Sequence, residues 1–143
     1  MNITLISPYP DLRGFGIRTL SACLKAEQHD VQMIFLPTRF DSDSFVHSYE
    51  ESTLDDLIDL ARSSDLVGNS LMTNFFDNAV QMTQQLKKDL EAPILWGGIR
   101  PTIRPEECLN YADMICIGEG EHAVVELAKR MSAGEDYMDV SSM

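Results

Sequence analysis

Two glycine turns in the second half of the chain carry residue types suited to holding a ligand. The first is Trp96-Gly97-Gly98-Ile99-Arg100-Pro101-Thr102, continuing to Pro105-Glu106-Glu107; the second is Gly118-Glu119-Gly120-Glu121. Each follows a short apolar run that reads as a buried strand, and each opens a helix. Both therefore belong at the carboxyl ends of neighbouring strands, where open α/β sheets bind ligands. Gly97-Gly98 removes consecutive side chains, so another group can approach the backbone closely. Pro101, Thr102 and Pro105 fix the path of that loop. A flat aromatic ring or a sugar fits such a surface, and the same glycines also suit a tight turn. Glu119 and Glu121 favour a helix N-terminus electrostatically, and they can accept hydrogen bonds from amides or ribose hydroxyls.

Two further loops share that edge. Ser7-Pro8-Tyr9-Pro10-Asp11-Leu12-Arg13-Gly14-Phe15-Gly16 follows the first apolar run. Its Gly14-x-Gly16-x-x-Thr19 spacing is a fragment of a dinucleotide fingerprint. The third glycine is missing, and the second strand ends Leu36-Pro37-Thr38 without an acid for a ribose, which argues against NAD or FAD. The other loop is Asn69-Ser70-Leu71-Met72-Thr73-Asn74. Its hydroxyls could donate to a phosphate or a ring nitrogen, and Thr73 serves equally well as a helix cap.

The elements that must position these loops alternate along the chain. Ile3–Ser7, Val31–Leu36, Leu66–Leu71, Pro93–Trp96 and Asp113–Ile117 read as strands. Helical spacing places Ile17, Leu20, Cys23 and Leu24 on one inward face, Leu54, Leu57, Ile58 and Ala61 on another. Thr53 is the expected N-cap of that second helix. A long helix runs from Met72 or Thr73 to about Leu90, a short one from Pro105 to Tyr111, and a last one from Glu121 to Ala133 with Gly134 as its stop. Pro37 to Ser52 is polar and reads as a long loop. The alternation specifies an α/β fold, a flavodoxin-like or Rossmann-like three-layer sandwich with a five-stranded parallel sheet and helices on both faces. Residues 1–134 form the expected domain; residues 135–143, polar and without periodicity, read as the start of a linker.

Bulk properties narrow the partners. A chain of 143 residues fits one domain, and its formal net charge of -12 argues against nucleic acid or an anionic membrane surface. Any phosphate would be held by backbone N–H groups and helix N-termini. Cys23, Cys108 and Cys116 lack metal-finger or redox spacing and read as small buried hydrophobes in a reduced cytoplasm. No signal peptide or membrane-spanning run is expected.

The ordered set Trp96-Gly97-Gly98-x-x-Pro101-Thr102, Pro105-Glu106-Glu107, Asp113 and Gly118-Glu119-Gly120-Glu121 resembles the cobalamin-binding domains fused to radical SAM domains. Ser70-x-Met72-Thr73 matches their third-strand loop, and Ser7-Pro8-Tyr9 with the following residues their first. The match covers Ile3 to about Ala133. The resemblance implies cobalamin with its dimethylbenzimidazole tail withdrawn from cobalt and threaded into the sheet edge. Ser70, Met72 and Thr73 would line the tail, with Gly97, Gly98, Pro101, Thr102, Gly118, Glu119, Gly120 and Glu121 flanking it. The first-strand loop, with Tyr9, Leu12, Arg13, Gly14 and Gly16, would lie under the corrin. Other cobalamin proteins ligate cobalt through the His of an Asp-x-His-x-x-Gly loop. Asp11-Leu12-Arg13-Gly14 has no His, and His29, His47 and His122 read as surface residues, so base-off, His-off binding is implied.

The radical SAM signature Cys-x-x-x-Cys-x-x-Cys is absent. The resemblance therefore implies a binding module without catalytic residues of its own. A downstream radical SAM domain in cis would hold the 4Fe-4S cluster and S-adenosylmethionine, act on a small-molecule substrate, and use the cobalamin for methyl transfer or related radical chemistry. Rival readings are a stand-alone flavodoxin-like nucleotide or redox protein, a phospho-acceptor signalling domain and a degenerate interaction domain of the same fold. Ser7-Pro8-Tyr9-Pro10 is a poor phosphate loop for FMN. The third strand ends in Asn69-Ser70 where a phospho-acceptor needs Asp, and Gly118 stands where it needs Lys.

Overall fold

The computed structural model describes residues 1–37, 40–41, 44–45 and 48–143. Its sheet contains the strands β1 (Asn2–Ser7), β2 (Asp30–Phe35), β5 (Leu66–Ser70), β6 (Ile94–Gly97) and β7 (Met114–Ile115). They run parallel in the order β2-β1-β5-β6-β7. This is the flavodoxin-like order, in which the chain builds outward to one side of β1 and then to the other. The expected fold class is therefore the observed one. A separate antiparallel pair, β3 (Phe40–Asp41) and β4 (Ser44–Phe45), occupies part of the segment read as a loop. Two-residue strands rich in Asp and Ser carry no period to detect.

Helices α1 (Phe15–Ala26) and α6 (Glu121–Ala133) cover one face, α2 (Glu51–Ala61) and α3 (Phe76–Asp89) the other. Strand alternation divides the side chains between two layers. Ile3, Leu5, Leu66 and Leu95 meet Ile17, Leu24, Val124 and Leu127 of α1 and α6. Ile6, Val67, Ile94 and Trp96 meet Leu57, Ile58, Met82 and Leu86 of α2 and α3. Trp96 anchors that second layer. Its indole N–H donates to Thr83 Oγ1 at 3.0 Å, and its ring stacks on Tyr111 while Phe76 meets both edge-on.

Several boundaries differ from those read off the sequence. α2 begins at Glu51 with Glu50 as N-cap, so Thr53 lies inside the helix. Thr73–Phe75 is a turn of 3₁₀ helix before α3. The loop after β6 contains its own helix, α4 (Ile99–Ile103), ahead of α5 (Pro105–Cys108). Pro101 falls in the first turn of α4, where its missing N–H has no intrahelical partner to lose. Gly134 ends α6 in a left-handed conformation, φ +68°, as expected. Residues 135–143 fold back on the domain: Val140 is buried, Ile117 N–H donates to the Ser142 carbonyl at 2.8 Å, and Arg130 pairs with Glu126 and Asp139.

Candidate functional site

A cleft of about 390 Å³ opens at the carboxyl edge and descends between the sheet and the α1–α6 pair. Its volume lies in the range of small-molecule sites. The glycine turns frame its mouth. Thr102 ties them together: its hydroxyl donates to the Gly98 carbonyl at 2.8 Å and accepts from the Gly118 N–H at 3.0 Å. The Gly118–Glu121 turn then delivers the chain into α6, whose first turn carries Glu121. Glu119, exposed, and Glu121, half-buried, border the opening. Ser70 closes β5 beside Gly97, and its half-buried hydroxyl makes no hydrogen bond among the described residues.

The glycines do different work. Gly98 sits at φ +101°, and a Cβ there would lie 2.8 Å from the Leu71 carbonyl oxygen. The group approaching Gly98 is thus the β5–α3 backbone, which also takes an N–H contact from Arg100 at 3.4 Å. At Gly16 and at Gly118 (φ +79°) a Cβ would meet nothing within 4 Å. These two leave open space at the mouth. Gly68 makes room for the Leu5 side chain in the floor: a Cβ there would approach Leu5 Cδ2 to 2.9 Å.

Of the residues singled out in the sequence, Gly16, Ser70, Gly97, Gly98, Thr102, Gly118, Glu119, Gly120 and Glu121 line this cleft. The others do not. Tyr9 is turned into the α2–α3 layer and stacks on Phe75, ring centroids 5.0 Å apart. Leu12 and Arg13 are exposed at the tip of the first-strand loop. Gly14 is the N-cap of α1, Pro101 is buried in α4, Met72 is exposed, and Thr73 begins the 3₁₀ turn.

Sequence reasoning missed the interior of the cleft. Leu5, Ile17, Leu20, Leu66, Gly68, Leu95, Cys116 and Val124 form its walls. As apolar residues at core positions, they read the same whether they face a helix or a void. Burial pushes the Cys116 thiol above its ordinary pKa, with Glu121 adding to the effect, so it stays a neutral wall group. Asn69 borders the cleft, yet its register with Ile6 and Trp96 puts its side chain in the opposite layer. There its carboxamide is buried with neither polar atom partnered. All three cysteines are free. Among the described residues no cluster of His, Cys, Asp and Glu could hold a metal ion. His29 is at the opposite edge, His122 is exposed in the first turn of α6, and His47 lies outside the described residues.

The fold and the cleft define an α/β ligand-binding domain with its site at the carboxyl edge of a flavodoxin-like sheet. Residues 1–128 match the family model of the B12 binding domain, and the chain belongs to that family. No curated protein matches it. Among solved structures, the radical S-adenosylmethionine methyltransferase TsrM from Kitasatospora setae, with cobalamin and a [4Fe-4S] cluster bound, superposes with a TM-score of 0.78 at 20% identity, over 99% of this chain and 26% of that one. The cobalamin-dependent S-adenosylmethionine radical enzyme OxsB, with aqua-cobalamin bound, gives a TM-score of 0.72 at 22% identity, over 99% of this chain and 20% of that one. A cobalamin-binding protein from Desulfitobacterium hafniense DCB-2 gives 0.61 at 17% identity, over 90% of this chain and 57% of that one. The chain thus spans about a quarter of TsrM and a fifth of OxsB. No helix among the described residues is long and apolar enough to cross a membrane.

Proposed function

We propose that this domain holds cobalamin base-off and without a His ligand, as the cofactor module of a radical SAM enzyme. The carrying observation is the cleft itself, which opens at the carboxyl edge between the glycine turns of a B12-binding family member. The residues present suit the group. Gly16 and Gly118 leave room at the mouth, Ser70 has a free hydroxyl beside it, and the floor around Leu5, Gly68 and Leu95 is apolar. The amide end of α6 favours a phosphate there, while no basic side chain lines the cleft.

In this reading the nucleotide tail enters between β5, β6 and the α1–α6 pair, with Ser70, Gly97, Gly98, Thr102 and the Gly118–Glu121 turn around its ribose and phosphate. Leu12, Phe15, Ile99, Ile103 and Ile117, exposed near the carboxyl edge, would hold the corrin. The first-strand loop offers no imidazole to the lower face of cobalt. When bound, cobalamin supplies methyl-transfer or related radical chemistry. This chain binds it, orients it and keeps water from its tail. Residues 1–134 are the binding unit, and 135–143 lead towards a radical SAM domain that holds the 4Fe-4S cluster and S-adenosylmethionine and acts on a small molecule, not a nucleic acid. The free cysteines suit a cytoplasmic setting.

Titration with hydroxocobalamin and methylcobalamin, followed by visible spectrum and thermal unfolding, tests this. A base-off spectrum with a rise in Tm is expected; saturation at 100 Kd adds about 2.7 kcal/mol of stability. After chemical reduction of the bound cofactor to the Co(II) state, EPR showing protein nitrogen on cobalt overturns it, as does no binding by either this chain or a longer one carrying the radical SAM domain.

A further inference from the structure

Below its mouth the cleft has nothing to offer a polar atom. Its lining along β5 runs from Ser70 to Leu66, a span of about 13 Å at a strand's rise per residue. Leu5, Gly68 and Leu95 form one level of the floor, in register across β1, β5 and β6. β5 is paired on both sides, so its main-chain N–H and C=O groups are engaged in the ladders. Leu20 and Val124 line the cleft from α1 and α6, beside Gly120. The polar side chains that line the cleft, Ser70, Thr102, Glu119 and Glu121, all stand at the mouth. The Asn69 carboxamide faces the other layer.

We infer that the cleft selects among cobalamin-type cofactors by the base of the nucleotide tail, accepting an apolar benzimidazole and rejecting a purine. This rests on the placement of the tail proposed above. A benzimidazole has a single free ring nitrogen, next to the ribose and so near the mouth hydroxyls; the rest of the ring is hydrocarbon and matches the walls. A purine adds ring nitrogens and an exocyclic amine. Those groups would leave water for a floor with no donor or acceptor, and a buried polar group without a partner is costly. An apolar pocket rejects added polar groups by roughly 10- to 100-fold. Gly68 lets the Leu5 side chain lie across the floor, so a larger residue there would push Leu5 into the cleft.

The test is a set of Kd values for the 143-residue chain with three corrinoids: cobalamin, its adenine-bearing analogue, and cobinamide, which lacks the nucleotide tail. Cobalamin is expected to bind tightest, with the adenine analogue roughly 10- to 100-fold weaker. Gly68→Val should lower cobalamin affinity towards that of cobinamide and leave cobinamide itself unchanged. Leu95→Asn places a donor and acceptor beside Gly68 and should narrow the gap between the two bases, with folding checked by thermal unfolding. A narrowed gap is an outcome that mere loss of stability does not give. Equal affinity for cobalamin and the adenine analogue, both tighter than cobinamide, overturns the selectivity but keeps the tail in the cleft. Equal affinity for all three puts the tail elsewhere. Binding of none overturns the cobalamin reading itself.

Discussion

On the α2–α3 side of the sheet, Trp96 is fully buried, its ring wedged between Tyr111 and Phe76 and its N–H on Thr83. On the α1–α6 side, the neighbouring position on the same strand is Leu95, which is buried but borders the cleft beside Gly68. One backbone therefore serves as a packed foundation on one face and as the floor of a binding site on the other. The division follows from the two-residue period of a strand: Val67 and Trp96 point one way, Gly68 and Leu95 the other. A cleft needs rigid walls, because collapse of the sheet would fill it. The bulk placed behind Gly68 and Leu95 supplies that rigidity.

The comparison is broken most directly by paired truncations. Trp96→Ala should destabilise the domain by about 3–5 kcal/mol, because it opens a cavity in a close-packed layer and leaves the Thr83 hydroxyl without its donor. Leu95→Ala should cost about 2 kcal/mol, the low end for such a change, because its side chain already borders empty space. Urea denaturation of both variants measures the difference. Equal costs would show that the α1–α6 layer is as tightly packed as the other.

The sequence made the packed layer and the rim legible, and it hid the inside of the cleft. Period-two and period-3.6 patterns located the parallel strands and the helices α1, α2, α3 and α6 within a few residues, since Leu54, Leu57, Ile58 and Ala61 can face one way only on a helix. The glycine turns located the mouth, because a turn that leaves a parallel strand for a helix lies at the carboxyl edge of the sheet. α4 escaped notice because Pro101 and Pro105 read as loop-formers, although a first helical turn tolerates proline. Leu5, Leu20, Leu95 and Val124 escaped as ligand-facing residues because an apolar core position and an apolar cleft wall are the same letter in sequence. The place of Tyr9 was hidden for a related reason: a loop's residues can turn to either layer, and this one stacks on Phe75.

Asn69 sharpens the comparison from the packed side. Its carboxamide is a polar intrusion in the layer around Trp96, buried and without partners. Replacing it with an apolar residue of similar size removes an unmet desolvation cost of about 1–3 kcal/mol. Asn69→Leu is expected to raise stability by about 1 kcal/mol, or a Tm gain of roughly 2–4 °C, once some crowding is subtracted. Its cobalamin titration should match that of the unaltered chain, because the side chain lies behind the floor. A drop in affinity without a loss of stability would show that the carboxamide turns into the cleft when the cofactor is bound.

The smallest effect lies at the foot of the α1–α6 layer, where the open side of the molecule is closed off. His29 sits between α1 and β2, half-buried, its Nε2 shielded and unpartnered. Burial lowers its pKa below 6.5; the Met1 ammonium and Lys129 push the same way, while Glu27 opposes them. Glu27 itself pairs with Lys129 at 3.0 Å and so joins the ends of α1 and α6. As pH falls below about 6.5 the unfolded chain takes up a proton at His29 before the folded one does. Its contribution to stability is complete above that pH and is lost through the window beneath it. His29→Gln should therefore flatten the acid limb of a Tm-against-pH curve, by about 2 °C or less given the partial exposure of the site. Hydrogen exchange near pH 5.5 should show the loss in α1 and α6 of the unaltered chain, with α3 unaffected. Identical acid limbs for the two proteins would place the acid sensitivity in the carboxylates instead, and the base of the cleft would then be no weaker point than the layer behind it.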